Sequence, residues 1–306
     1  MINRELIRIK IVQLTYAYYQ NGNRNIDVAE KELLFSLSKA YHLYHYLLAL
    51  VVAVSKEARK HYDVEVARAN RENTAMPSSK FVDNKFAIQL EANQQLCDFI
   101  STQKQTWDDD IEFVRKLYSQ IVQSRIYTDY MSSDDSSYEA DRELWRKLYK
   151  TFIMENEELD ALLEEKSLYW NDDKEIVDTF VLKTIKRFDP ANDDKQELLP
   201  EYKDDEDKDF ARKLFRSTIL NADKYQHYMS ETSRNWDFSR LAYMDVVIMQ
   251  IAIAEMLNVT INEYVDLAKV YSTPKSAGYI NGMLDTIARH LINTGVLLKP
   301  ISDNKK

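Results

Sequence analysis

Glycine and proline are nearly missing, with four and five among 306 residues. Compact β and α/β folds spend both at their many turns, so this scarcity excludes them in favour of long helices. A lone cysteine, Cys97, excludes an internal disulfide and a cysteine-based zinc site. Neither GxxxxGK(S/T) nor GxGxxG occurs, so no phosphate-cradling loop is indicated. The chain also lacks a positive balance. Its net charge of -9 argues against an indiscriminate binder of polyanions. The opening MINRELIRIK scatters charges where a secretory signal keeps an unbroken apolar run. The strongly apolar stretch from Tyr46 to Val54 falls short of the roughly 20 residues that span a bilayer. The expectation is a reduced, soluble, cytoplasmic protein without a membrane segment.

What is present fits an all-α chain. Hydrophobic residues make up 45%, enough for a core, and tyrosine is unusually frequent at 20. Charge is unevenly spread. Residues 1–25 carry Arg4, Arg8, Lys10 and Arg24 against Glu5 alone. Residues 267–306 carry six cations against Asp285 and Asp303, while 157–210 hold 19 acidic and 8 basic residues. Positive ends around a negative middle permit a local cationic site, although most charge runs are solvated helix faces.

Leu6, Ile9, Val12, Tyr16 and Tyr19 recur at helical spacing, predicting a helix over 2–20 that stops at Asn21-Gly22-Asn23. A second helix starts near Asp27, with Glu30 completing a capping box, and runs for about 30 residues. Between 56 and 200 the pattern changes. Amphipathic stretches cover 84–106 and 108–130, and helices are expected near 138–156, 158–170 and 173–188. The run LLPEYKDDEDKD is either a linker or the acidic first turn of the next helix. Residues 237–257, capped by Asp237 or Ser239, form the most apolar helix, the kind that occupies a bundle centre. Thr260 and Glu263 read as a capping box, and a last helix ends at Asn293-Thr294-Gly295.

Chemistry of an enzymatic kind is thin, and no catalytic residue, cofactor or metal ligand is expected. His42 and His45 share a helix face but lack further ligands, so they read as packing residues. Asp108-Asp109-Asp110 and Asp204-Asp205 read as solvated pairs, because helix neighbours do not face one another. Two terminal segments carry more. Arg4 and Arg8 stand i, i+4 on one helix, where their repulsion is relieved by an anion lying across both. Around the start of the last helix, Lys275, Ser276 and the backbone amides make an anion site. Tyr279 offers a ring for stacking on an unpaired base. Gly278 admits a close partner backbone, whereas Gly282 reads as a close helix–helix contact.

These segments resemble the NusB family. RIKIVQLTYAYYQNG (8–22) is similar to its opening helix, KDFARKLFRSTI (208–219) to its aromatic-basic helix, and WDFSRLAYMDVVIMQIAIAEML (236–257) to its central helix. The most specific run is INEYVDLAKVYSTPKSAGYINGMLD (261–285), where Asn262, Glu263, Ala268, Ser276, Asn281, Gly282, Leu284 and Asp285 match. The resemblance implies an all-α, two-subdomain helical bundle of non-enzymatic function. It implies binding of single-stranded boxA-type RNA of nascent ribosomal transcripts, jointly with NusE, the small ribosomal-subunit protein, inside an RNA polymerase antitermination complex. The residues it assigns to RNA are Arg4, Arg8, Lys10, Tyr16 or Tyr18, Lys275, Ser276 and Tyr279.

The chain departs from that pattern. It is about twice the usual length. Gly278 replaces a lysine, Lys275 replaces an acid, and the link after the central helix is short. The expected organisation is NusB-like helices over 1–55, an inserted helical region of unassigned role over 56–200, a NusB-like subdomain over 201–296, and a tail over 297–306. The competing reading is a helical protein–protein adaptor without direct RNA binding, motivated by the acidic insert and tyrosine-rich second helix. An RNA-binding half of a methyltransferase is disfavoured, since no nucleotide-binding glycine motif follows.

Overall fold

Asn3 opens the first helix, α1 (Arg4–Gln20), by accepting a 2.9 Å hydrogen bond from the Leu6 amide. The computed structural model describes residues 1–21, 25–170, 172–232, 241–257, 269–273 and 276–297. Among these the chain is all-α, with no strand beyond an isolated bridge between Ile2 and Tyr202. It divides into a terminal unit, Ile2–Leu37 with Tyr202–Lys306, and a central unit, Met1 with Ser38–Glu201. The boundaries expected from sequence are 55/56 and 200/201; the units divide at 37/38 and 201/202. Helix α2 (Ile26–Glu72) is 47 residues long, beyond the roughly 30 expected. By length and composition it passes as a membrane span, but 72% of its most apolar window is buried inside the protein.

In the central unit, α2 is followed by α3 (Lys85–Ala92), α4 (Gln94–Thr102), α5 (Ile111–Val122), α6 (Arg125–Ser132), α7 (Tyr138–Phe152), α8 (Glu157–Lys166) and α9 (Lys174–Arg187). The stretches read as continuous over 84–106 and 108–130 are each broken by a cap. The Asn93 side chain accepts from Leu96 N at 3.1 Å, starting α4 where α3 ends. Ser124 does the same for α6, accepting from Tyr127 N at 3.1 Å. Periodicity alone does not see such breaks, because both sides keep their apolar face. Trp145, Leu148 and Tyr149 of α7 bury against Val177, Val181 and Ile185 of α9. The Tyr149 hydroxyl donates to Asp178 at 2.6 Å, and the buried Lys174 ammonium lies 3.1 Å from the same carboxyl.

The two α2 histidines are packing residues, as the sequence implied. His45 stacks on Phe99 at 4.7 Å and its Nδ1–H donates to the Tyr41 carbonyl at 3.0 Å. His42 packs between Phe99 and Trp170 and bonds Gln103 at 2.6 Å. Among the described residues no group of three or more His, Cys, Asp or Glu is arranged to hold a metal.

The terminal unit holds α1, the first residues of α2, and then α10 (Asp205–Leu220), α11 (Ala222–Thr232), α12 (Tyr243–Met256) and α13 (Ser276–Asn293). The acidic run resolves as the start of α10. Asp204 caps it by accepting from Asp207 N at 3.2 Å, and Asp205, Glu206 and Asp207 fill its first turn, where carboxylates suit the helix dipole. Helix α12 is apolar all round and packs against α1, α10, α11 and α13, the central position its sequence called for. The proposed caps Asp237 and Ser239 and the Thr260–Glu263 box lie outside the described residues.

Burial, helped by repulsion from His42, lowers the His45 pKa from 6.5 to about 4, against the opposing bond to Tyr41. The unfolded chain therefore takes up a proton below pH 6.5 that the folded chain refuses until about pH 4. Stability from this group is intact above 6.5 and falls as the pH drops toward 4. Asp178, raised by burial to about 6, works in the opposite sense and loses stability as the pH rises from 3.8 to 6. His45→Phe keeps the stack and removes the proton site. Urea melts from pH 7 to 4 should show the unsubstituted protein losing on the order of 3 kcal/mol relative to the variant. Parallel curves would contradict this origin.

Candidate nucleic-acid interface

The basic start of α1 splits into an exposed and a buried part. Arg4, with its side chain 41% exposed, sets its guanidinium 4.7 Å over the Phe210 ring and its Nε 3.4 Å from Asp207. Arg8, one turn on, is 4% exposed and is held by Glu255 in a bidentate pair, Nε to Oε2 at 2.9 Å and Nη2 to Oε1 at 2.6 Å. Glu255 is itself wholly buried. The i, i+4 spacing alone predicts two arginines offered to one anion. In the fold Arg8 already has its anion, supplied by α12. Lys10 is 2% exposed and is likewise part of the interior.

Around Arg4 a cleft of about 390 Å³ is lined by Glu206, Asp209, Phe210, Lys213, Leu214 and Glu255. Phe210 and Lys213, three apart on α10, share one face. They complete an aromatic and cationic surface with Arg4. Their signal was in the KDFARKLF run, but only the packing of α1 on α10 shows that Phe210 meets Arg4.

The other end of α12 gathers a second group. Tyr16, 37% exposed, meets Tyr243, 44% exposed, edge to face at 5.7 Å. Tyr19 also approaches Tyr243, at 6.4 Å, and its hydroxyl accepts from Gln250 at 2.6 Å. Tyr18 lies edge to face with Tyr19 and lines a neighbouring cleft with it. Ser276 is buried and donates to Asp245 in the first turn of α12 at 2.9 Å. Ser272 bonds the same carboxylate, and Thr273 meets Ser276 at 2.8 Å. Ser276 therefore clips α13 to α12 instead of facing solvent. Tyr279, one turn further, is half-buried, and burial followed by the Asp245 charge raises its pKa. Lys275 lies outside the described residues.

The close-packing expectation for Gly282 is overturned. Both Gly278 and Gly282 are exposed, and a Cβ added at either would meet nothing within 4 Å among the described residues. Tyr243 was not singled out by sequence, because an aromatic at the head of an apolar helix looks like core.

The terminal unit is thus an α-helical bundle around one apolar helix, with exposed Tyr16 and Tyr243 toward one end of that helix and half-buried Phe210 toward the other. Comparison with known proteins defines it further. The NusB family pattern matches residues 179–289. A protein of Salinibacter ruber named transcription antitermination protein NusB is 30% identical over 132 residues, covering 39% of this chain and 82% of its own. Proteins of the same name are 39% identical over 99 residues in Chloroherpeton thalassium and 43% over 81 residues in Natranaerobius thermophilus. These two alignments cover 30% and 24% of this chain, and 47% and 58% of the relatives. The chain belongs to the NusB family and is longer than the relatives it matches. No solved structure matches it.

Removing one member of the Arg8–Glu255 pair strands a buried charge, which costs about 3–5 kcal/mol. Arg8→Ala should lose that amount in denaturant melts. Arg8→Met with Glu255→Leu should lose far less than the two single substitutions summed. Additive losses would show that the pair is not coupled.

Proposed function

We propose that the terminal unit binds single-stranded, boxA-type RNA together with NusE, as part of an RNA polymerase antitermination complex. The observation that carries this reading is the presence, on a NusB-family bundle, of both unburied cations around a half-buried ring and a pair of exposed rings. Arg4 and Lys213 flank Phe210 at one end of α12, and Tyr16 and Tyr243 stand at the other. Single-strand binders combine these two elements, cations along the backbone and rings under the bases. Helix α12 has 14 residues. At 1.5 Å per residue it is about 21 Å long. That is a span of roughly six stacked nucleotides at 3.4 Å each.

The residue roles divide accordingly. Arg4 and Lys213 contact phosphates. Tyr16, Tyr243 and Tyr279 stack on bases, and Lys275 adds a cation near the start of α13. Arg8, Lys10 and Ser276 act indirectly by holding α1 and α13 in place. The acids Glu206 and Asp209 in the Arg4 cleft keep the local charge modest, so stacking supplies much of the affinity.

The test is a fluorescence anisotropy titration of boxA RNA with the full chain and NusE across a salt series. The phosphate contacts of Arg4 and Lys213 together contribute about −1.4 to the log–log slope, and Arg4→Ala should make it shallower by about 0.7. Tyr16→Ala should weaken binding on the order of tenfold with the slope unchanged, matching about 1–3 kcal/mol per stacked base. Absence of binding with NusE present would overturn the proposal. Recovery of partner proteins unaffected by nuclease would favour an adaptor instead.

A further inference from the structure

The central unit contains a slot that the family match does not reach. Its residues fall before 179, where that match begins. Tyr46, Ala49, Ala53, Lys56 and Lys60 follow a 3-4-3-4 spacing and form one stripe of α2. The two alanines leave a dent in that stripe, walled by Phe99 and Ile100 of α4 and by Trp107. The floor is preformed. Trp107 stacks on Tyr46 at 4.4 Å, and its indole N–H donates to the Tyr46 carbonyl at 2.8 Å. The cavity measures about 90 Å³. That equals roughly three waters and is well below the roughly 300–1,000 Å³ of a small-molecule pocket. It suits one apolar side chain. The Lys56 and Lys60 side chains, 55% and 65% exposed, stand on its rim, held only by pairs of 4.0 Å to Glu91 and 3.6 Å to Glu57.

The same unit carries the matching half. Leu168 is 83% exposed, more than any other large apolar residue described. It follows Glu164 and Glu165, both exposed, at the end of α8. The chain on either side of Leu168 approaches the slot. Two residues on, Trp170 packs 5.4 Å from the Tyr46 ring, and Lys166 pairs at 2.6 Å with Asp110 beside the Trp107 turn. A donor and an acceptor on neighbouring parts of one surface are what a twofold contact requires, since each copy then gives and receives the same group.

We propose that the central unit is a self-association surface, on which a second copy of this chain inserts Leu168 into the Ala49–Ala53 slot while its Glu164 and Glu165 face Lys56 and Lys60. The occupant is a second copy because the size, polarity and acid-to-base order of the 164–168 segment complement the slot. A contact anchored by one side chain per copy is smaller than a permanent dimer interface, so association should be reversible and concentration-dependent.

Sedimentation equilibrium of the full chain, from micromolar to near-millimolar concentration, tests it. A monomer–dimer equilibrium is expected, with Leu168→Lys and the slot-filling Ala53→Trp each weakening it at least tenfold. Leu168 is exposed, so its substitution leaves folding intact, which circular dichroism checks. Lys56→Glu with Lys60→Glu should abolish the dimer, as should Glu164→Lys with Glu165→Lys. Mixing these two variants should restore it, because both contacts of the pair again join opposite charges. A chain monomeric throughout, or a dimer indifferent to Leu168 and to the charge exchange, would overturn the proposal.

Discussion

One buried ion pair organises the terminal unit. Arg8 comes from near the start of the chain and Glu255 from the end of α12, 247 residues later, and together they form a bidentate contact with almost no solvent. The cation lies at the C-terminal end of α12, where the helix dipole favours positive charge. Its guanidinium also stands 5.8 Å from the Phe210 ring. A single side chain therefore ties α1, α10 and α12. An unpaired charge at either position would be costly, so α1 has one register on α12. That register sets Arg4 over Phe210 and Tyr16 beside Tyr243.

This arrangement changes how an acidic chain would handle a polyanion. By sequence alone both ends of the chain are cationic and every cation looks available. Burial divides them: Arg8 and Lys10 are interior, and Arg4 already leans on Asp207. What reaches solvent is the exposed pair Tyr16 and Tyr243 at one end of α12, and at the other the half-buried Phe210 among cations and acids that largely offset one another. The proposed RNA binding would then be led by stacking, with a modest electrostatic share.

Much of the fold was legible because it follows from local chemistry. Scarce glycine and proline meant helices, and a helix apolar on every side meant a central one. Two histidines without nearby ligands meant packing. The 261–285 motif pointed to the NusB family before any coordinates. Other features depend on contacts between distant residues, which spacing does not encode. Nothing in the i, i+4 arginine pair reveals that Glu255 takes one of them. Nothing around Ser276 announces Asp245 as its acceptor. The exposed Gly282 looked like a packing glycine because the sequence does not say which face of α13 meets α12. Breaks at Asn93 and Ser124 were hidden because capping leaves the apolar pattern intact on both sides.

Ultraviolet crosslinking of boxA RNA to the protein–NusE complex, mapped by mass spectrometry, tests most directly whether nucleic acid lies along the terminal unit as proposed. Crosslinks are expected on peptides carrying Tyr16, Tyr243 and Tyr279, with none concentrated between residues 38 and 201. Crosslinks confined to the central unit, or none on this chain while NusE crosslinks strongly, would contradict it.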